Sequence, residues 1–131
     1  TVYDGKGSAI GVPVAVIVNE NSASASEILA AAIQENEIGV VVGTNTYGKG
    51  VVQTTSYIES TGGWLKITTD AYYTPNGNNI NGVGISPDIL MELPEQYSRM
   101  AIPELVKNHQ KEDTQLWEAL DYVRERANEV S

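Results

Sequence analysis

The sequence predicts an α/β fold, in which a βαβ core carries an attached β-hairpin and a C-terminal helix. Residues 13–18 are a continuous apolar run rich in β-branched residues, which is typical of a strand buried on both faces. The pattern becomes helical from 24 to about 34, and a second apolar run covers 39–43. A strand, a helix and a strand in this short space form a βαβ unit with parallel strands.

The remaining elements follow from alternation and from turn residues. Residues 49–58 favour a strand, 60–63 a turn, and 64–73 alternate like a hairpin partner. A turn at 74–77, an irregular crossing at 82–88 and a brief strand at 89–91 follow. Beyond Pro94 the chain becomes charged and helical, and 113–128 predict an amphipathic helix capped by Asp113 or Thr114. We expect a core at 1–94 and a helical appendage at 95–131.

The apolar stripes of the two helices are expected to face the core. The stripe of the first helix is Ile28, Leu29, Ala32 and Ile33, and that of the last helix is Leu116, Trp117, Leu120, Val123 and Ala127.

Composition excludes several classes of function. The formal net charge of −9 repels phosphate backbones, which argues against a nucleic-acid partner. The absence of cysteine excludes disulfides, thiolate catalysis and thiolate metal ligands. The acidic residues show no metal-ligand spacing, so we expect no metal, and His109 is expected at the surface.

Ser24 lies where the first strand gives way to the first helix, within the segment NSASASE (21–27). A serine there exposes its hydroxyl, and the following amides point outward at the positive end of the helix dipole. The Ala25 amide is then placed to stabilise an oxyanion. Taken alone, the segment favours a plainer interpretation, because Ser24 and Glu27 have the spacing of a capping box.

Lys49 lies between two glycines directly after the second strand, an unusual place for a solvated amine. Burial in an apolar pocket would lower its pKa from about 10.4 toward neutrality, as a general base requires. If residues 49–53 are extended, Lys49 and Gln53 share a face, and Gln53 can orient the amine. Taken alone, the segment favours a turn with Lys49 in solvent.

Residues 43–50, GTNTYGKG, also match the phosphate-binding P-loop at every fixed position except the last. Gly50 stands where that motif needs a hydroxyl for magnesium. The chain also continues as a strand, whereas a phosphate-binding loop leads into a helix. We therefore reject a nucleotide site.

The Ser24 and Lys49 segments together resemble the C-terminal processing peptidases, also called tail-specific proteases. The matching motifs are SASASEI (22–28), VVG (41–43), YGKGxVQ (47–53), LKITT (65–69), YTPNG (73–77) and GxGIxPD (82–88). The resemblance covers roughly residues 12–92 and implies that the α/β core is a ClpP/crotonase-like spiral. It also implies a serine endopeptidase without a cofactor, with Ser24 as nucleophile, Lys49 as general base, Gln53 as third member and the Ala25 amide in the oxyanion hole.

The resemblance further implies protein or peptide substrates with unstructured C-termini. It implies an extracytoplasmic location, periplasmic or at the cell surface, with a membrane anchor in an N-terminal segment. Family members carry a PDZ domain and a glycine-rich oxyanion loop upstream, which the residues before Pro13 cannot hold, and DGKG at 4–7 predicts only a hairpin turn. We expect an excised piece of a longer protein, inactive alone, whose exposed apolar surface a homodimer can hide.

Two alternatives stay open. A noncatalytic binding or assembly module could keep the peptidase fold, with Lys49 solvated and Ser24 serving only as a cap. An acyl-thioester enzyme on a related spiral fold would need a pantetheine channel, which is not evident in the sequence.

Overall fold

The computed structural model describes residues 11–129, so the turn predicted at 4–7 lies outside the described residues. The strands are β1 (Ala15–Val18), β2 (Val40–Gly43), β3 (Val51–Ile58), β4 (Gly63–Ala71) and β5 (Ile89–Leu90); the helices are α1 (Ala25–Glu35), α2 (Ile102–Asn108) and α3 (Thr114–Glu129). The predicted α/β class, with its βαβ unit, hairpin and C-terminal helix, is confirmed. None of the helices described is long and apolar enough to cross a bilayer.

Strands β1, β2 and β5 form a parallel sheet with β2 in the middle. Ala15 pairs with Val40, so β1, α1 and β2 make the predicted βαβ unit. The central strand is buried along its whole length, as expected. The expectation that β1 is buried on both faces is wrong, because β1 is an edge strand of the described sheet and its Ile17 is 41% exposed.

Helix α1 packs on one face of the sheet through small residues. Ala30 and Ala31 are buried in a cluster with Val18 and Val41. Alanine lets a helix approach a sheet closely, because its side chain adds little thickness to the contact. The close approach brings the first turn of α1 next to the loops that follow β1 and β2.

The predicted stripe of α1 is only partly correct. Ile33 is buried, but Ile28 is 39% exposed and Leu29 is 57% exposed. The helix is apolar on nearly every side, so the periodicity of its sequence does not define which side faces inward. The inward side is instead the one that carries Glu27, which is fully buried.

Helix α3 covers the opposite face of the sheet. Val40 and Val42, which alternate with Val41 along β2, pack with Ala119 and Tyr122 of α3. Asp113 caps the helix as predicted, since its Oδ1 accepts a hydrogen bond from the Leu116 amide at 2.9 Å.

The predicted face of α3 is rotated relative to the observed one. Gln115 and Ala119 are the buried residues, whereas Trp117 is 39% exposed and Ala127 is exposed. A polar residue turns inward because the Gln115 side-chain amide donates to the Met91 carbonyl at 2.8 Å. Apolar periodicity alone does not reveal such a contact.

Strands β3 and β4 form an antiparallel hairpin that is separate from the parallel sheet. Nearly all of its residues are half-buried or exposed, and Trp64 is 72% exposed. Its base joins the core where the Tyr72 amide donates to the Gly50 carbonyl at 2.8 Å.

Candidate active site

Ser24 ends the loop that joins β1 to α1, and its backbone is strained. Its φ of 58° and ψ of −115° lie where residues with a side chain are rarely found. Such strain persists only where surrounding contacts enforce it. The Glu27 carboxylate accepts the Ser24 amide at 2.8 Å, and the Ser24 carbonyl accepts the amides of Glu27 and Ile28. A strained serine between a strand and a helix is typical of an exposed nucleophile.

Half of the capping box predicted from Ser24 and Glu27 is present, because the Glu27 carboxylate accepts the Ser24 amide, whereas the Ser24 side chain makes no capping hydrogen bond. The plainer interpretation of the segment as a helix cap is therefore only partly confirmed. It does not account for the backbone of Ser24, because an ordinary N-cap residue has β-region angles. Capping and a role as nucleophile are compatible at this position.

Ala25 is the first residue of α1, and it is exposed. No described residue accepts a hydrogen bond from its amide, as expected in the first turn of a helix. The helix dipole places partial positive charge at this end. The amide directly after Ser24 is therefore available to a negatively charged oxygen.

The Glu27 carboxylate joins the two segments that the sequence singled out. Its Oε2 accepts the amides of Ser24 and Lys49, each at 2.8 Å, and its Oε1 accepts the Gly48 amide and the Thr46 hydroxyl, each at 2.6 Å. Burial raises the pKa of Glu27, but the hydrogen bonds from Thr46, Gly48, Lys49 and Ser24 outweigh it and hold the pKa below its ordinary value. Glu27 is therefore a buried anion with four donors.

Sequence reasoning gave Glu27 only a capping role and missed this network. The available signal is that Glu27 is three and four residues before Ala30 and Ala31, on the side of α1 that faces the sheet. A carboxylate on an inward face requires buried donors. Thr46, the buried donor, carried no recognisable motif of its own.

The loop of residues 44–50 packs backbone to backbone against residues 80–84. The Gly82 amide donates to the Gly48 carbonyl at 2.8 Å. A Cβ on Gly48, whose φ is 85°, would lie 2.9 Å from the Gly84 amide nitrogen, and a Cβ on Gly50 would also collide with that segment. The glycines on each side of Lys49 are thus required by close packing.

The backbone of Lys49 lies close to that of Ser24, although 25 positions separate them. Their amide nitrogens are each 2.8 Å from one oxygen of Glu27, so they are no more than twice that distance apart. The Lys49 side chain is exposed within residues 11–129. The prediction that Lys49 lies in an apolar pocket is therefore wrong for residues 11–129. The glycines on each side of it have no side chains that could cover the amine.

Gln53 is exposed and is the third residue of β3, paired with Thr68. Lys49 comes two residues before that strand begins at Val51. Strand alternation therefore does not by itself put Lys49 and Gln53 on one face. Their shared face stays a prediction.

The P-loop interpretation fails for a physical reason. The Gly48 and Lys49 amides, which a phosphate would need, already bind the Glu27 carboxylate. The chain then continues into β3, whereas a phosphate-binding loop leads directly into a helix. The loop holds an anion that belongs to its own chain.

His109 lies at the C-terminal end of α2, half-buried against Tyr97 with ring centroids 5.0 Å apart. It packs as an aromatic side chain, and is therefore less exposed than the sequence suggested. Among residues 11–129, no cluster of three or more histidine, aspartate or glutamate side chains could hold a metal.

Comparison with known proteins identifies a family that matches most of this chain. A model described as peptidase family S41 matches residues 2–91. A carboxy-terminal-processing protease of Bartonella bacilliformis is 48% identical over 87 residues, which cover 65% of this chain and 20% of the relative. A chloroplastic C-terminal processing peptidase of Tetradesmus obliquus is 39% identical over 93 residues, which cover 70% of this chain and 20% of the relative.

The solved structure of a photosystem II D1 C-terminal processing protease is also similar. Its TM-score is 0.59 at 40% identity, and the match covers 64% of this chain and 22% of that one. The chain thus spans about a fifth of the length of these relatives.

Proposed function

Because the chain belongs to peptidase family S41, a family of serine-type peptidases, we propose that it hydrolyses peptide bonds with a Ser24–Lys49 dyad. The observation that carries the proposal is the convergence of the Ser24 and Lys49 amides on one Glu27 oxygen. The contact brings together, from distant parts of the chain, a strained serine and the lysine that the family resemblance indicates. The proposal concerns the protein of which this chain supplies the dyad.

In the proposed reaction, the neutral Lys49 amine takes the proton of the Ser24 hydroxyl as its oxygen attacks the scissile carbonyl carbon. The Ala25 amide donates to the oxyanion of the tetrahedral intermediate. Lys49 then returns the proton to the leaving amine, which departs and leaves an ester on Ser24. Lys49 then takes a proton from water, whose oxygen attacks the ester carbonyl. The bond from the acyl carbon to the Ser24 oxygen breaks, and Lys49 returns the proton to that oxygen, so the cycle consumes only peptide and water and needs no cofactor.

We assign Gln53 a supporting role, in which its side-chain amide oxygen accepts a hydrogen bond from the Lys49 amine. Such a contact orients the lone pair of the neutral amine toward Ser24. The position of Gln53 at the start of β3, four residues after Lys49, supports this assignment. The Lys49 side chain is exposed in residues 11–129, and we propose that another part of the protein covers it.

We propose proteins with unstructured C-terminal tails as substrates, cleaved near those tails. The names of the carboxy-terminal-processing relatives support this class. An extracytoplasmic location, with an anchor in an N-terminal segment, is proposed on the same family basis. One relative is chloroplastic by name, and others are bacterial.

We further propose that the 131-residue chain alone has little or no activity. Its described residues offer one free oxyanion amide and leave Lys49 in solvent. Exposed apolar side chains on the hairpin, among them Trp64, Leu65 and Ile67, support association of the isolated chain into a homodimer. Residues 95–131 are proposed as an appendage whose α3 covers the sheet.

The test is cleavage of an unstructured peptide with an apolar C-terminus by the full-length protein. Ser24→Ala and Lys49→Ala should each lower kcat by at least about a thousandfold while circular dichroism stays unchanged. Ser60→Ala and Lys66→Ala, which change exposed residues of the hairpin, are matched controls and should cleave like the parent. Undiminished cleavage by folded Ser24→Ala would refute the dyad.

A noncatalytic binding or assembly module is the second candidate. The exposed Lys49 side chain favours it, because the base of a catalytic dyad is expected in an apolar pocket. This candidate predicts that the full-length protein binds the peptide without cleaving it. Binding should then be the same in the parent, Ser24→Ala and Lys49→Ala proteins.

A further inference from the structure

Thr46 is a buried residue with no role in the reaction proposed above. It lies three residues before Lys49 and is 4% exposed. Its hydroxyl donates to Glu27 Oε1 at 2.6 Å and accepts the Ile85 amide at 2.7 Å. One hydroxyl therefore links the first turn of α1 to the segment that follows Gly84.

The direction of this chain of hydrogen bonds is fixed. A backbone amide can only donate, and an ionised carboxylate can only accept, so the Thr46 proton must point toward Glu27. Hydrogen bonds to an ionised acceptor are shorter and stronger than neutral ones. The low dielectric of a buried site strengthens them further.

The four donors to Glu27 come from two parts of the chain. Oε2 takes one amide from the nucleophile turn, Ser24, and one from the lysine segment, Lys49. Oε1 takes two donors from the lysine segment alone, Gly48 and Thr46. Loss of the Oε1 pair would leave the Glu27 carboxylate less constrained. That carboxylate is the contact shared by the Ser24 and Lys49 amides, and a hydrogen bond from the Tyr47 amide to the Ser22 carbonyl at 3.0 Å joins the same two segments beside it.

We propose that Thr46 and Glu27 are positioning residues, a buried pair that fixes the Lys49 backbone against the Ser24 turn. The inference rests on the proposed Ser24–Lys49 dyad and adds the element that sets its geometry. Neither side chain touches the substrate or the reacting atoms. Their effect is to hold a nucleophile and a base at a constant separation, on which the rate of an oriented reaction depends steeply.

Three variants of the full-length protein separate positioning from folding. Thr46→Val keeps the shape of the side chain and removes the hydroxyl, whereas Thr46→Ser keeps the hydroxyl and removes a methyl group. Thr74→Val is the matched control, since Thr74 is also buried and its hydroxyl accepts the Asn78 amide at 3.2 Å, in a turn whose hydrogen bonds do not involve Glu27.

Thr46→Val should lower kcat by about 10- to 100-fold and leave KM within about threefold, because the geometry of the dyad changes and the substrate contacts do not. Thr46→Ser should recover kcat to within about threefold of the parent, and Thr74→Val should match the parent. A folded Thr46→Val protein with a kcat within twofold of the parent would overturn the inference. An equal loss in Thr46→Ser would overturn it too, since volume rather than the hydroxyl would then matter.

Two further variants keep the outcomes distinct. If Thr46→Val does not fold, Glu27→Asp withdraws the carboxylate by one methylene while keeping its charge, and it should show the same loss of kcat at constant KM. Parental kcat in Glu27→Asp would overturn the inference. If Ser24→Ala loses cleavage but Thr46→Val keeps the parental kcat, the positioning role is refuted and the proposed dyad stands. If Ser24→Ala cleaves like the parent, both the proposed function and the positioning role are refuted.

Discussion

The junction, formed by residues 24–27, 46–50 and 80–85, differs from the β3–β4 hairpin in how far contacts within the chain hold its residues. At the junction, a fully buried carboxylate has four hydrogen-bond donors, and neighbouring glycines pack against backbone atoms. The hairpin also carries motifs of the family, yet its Tyr57, Trp64 and Leu65 side chains are all more than two-fifths exposed. Residues of the junction are explained by contacts within the chain, and those of the hairpin are not.

This difference separates two kinds of constraint. Changes at the junction should alter the stability and geometry of the chain itself, because the Thr46 and Gly48 donors are buried with their Glu27 acceptor. Changes in the hairpin should leave the isolated chain nearly unaffected, because few contacts within the chain are lost.

The largest expected effect is that of Glu27→Ala on the free energy of unfolding. It leaves the buried Gly48 amide and the buried Thr46 hydroxyl proton without an acceptor, and each such group costs about 1–3 kcal/mol. Glu35→Ala on the same helix is the control, because Glu35 accepts the Asn76 amide and the Asn78 side chain at the surface. Urea denaturation should show a much greater loss for Glu27→Ala, and equal losses would contradict the account.

A glycine pair tests the same contrast at the level of the backbone. Gly62 of the hairpin turn and Gly84 of the junction have φ of 66° and 78°, so alanine at either costs about 1–2 kcal/mol in backbone strain. Only at Gly84 does the new Cβ also collide with the Thr46 carbonyl, which adds about 1–3 kcal/mol. The Tm measured by thermal unfolding should therefore be lower for Gly84→Ala than for Gly62→Ala. The reverse order would be evidence against close packing at the junction.

Acid should weaken the junction selectively. The pKa of Glu27 is lowered in the folded chain, so its contribution to stability is complete above the ordinary glutamate pKa of 4.5 and is lost as pH falls through the lower folded value. The effect should be smaller than that of Glu27→Ala, since a protonated carboxyl still fills the site. The stability difference between the parent and Glu27→Gln should shrink as the pH falls from 7 to 3. A stability difference between the parent and Glu27→Gln that grows as the pH falls would contradict a lowered pKa of Glu27 in the folded chain.

The smallest effect is expected for Trp64→Ala in the hairpin. Trp64 is 72% exposed, and its ring lies near the Tyr57 ring, with centroids 5.1 Å apart. An aromatic pair of this kind contributes about 0.5–1.5 kcal/mol. Denaturation of the isolated chain should therefore show a loss of at most that size, and a loss above about 2 kcal/mol would indicate contacts that the hairpin does not make here.

The sequence was sufficient to predict the five strands, α1 and α3 in their order, whereas α2 was predicted only as part of a helical appendage. The apolar runs placed β1 and β2, and the strand-to-helix change placed Ser24 at the start of α1. Motif resemblance then singled out Ser24 and Lys49, whose backbones the structure brings together. The strands and helices were predicted correctly because they depend on local pattern, and the roles of Ser24 and Lys49 stay predictions.

The features that failed depend on contacts between distant residues. The inward face of α1 follows from the donors that Glu27 finds 19 to 22 positions away, and the inward face of α3 follows from the bond between Gln115 and the Met91 carbonyl. Apolar periodicity contains no information about either bond. The burial expected for Lys49 failed similarly, since it depends on cover that residues 11–129 do not supply.

The central claim is that one ionised Glu27 carboxylate joins the Ser24 turn to the Lys49 segment, and its most direct test is an NMR titration. We predict that the Glu27 carboxyl carbon titrates with a midpoint below 4.5, and that the amide protons of Ser24, Gly48 and Lys49 shift together at that midpoint. The Thr55 and Lys66 amides of the hairpin should not follow it. Separate midpoints for Ser24 and Lys49, or a Glu27 midpoint at or above 4.5, would contradict the claim.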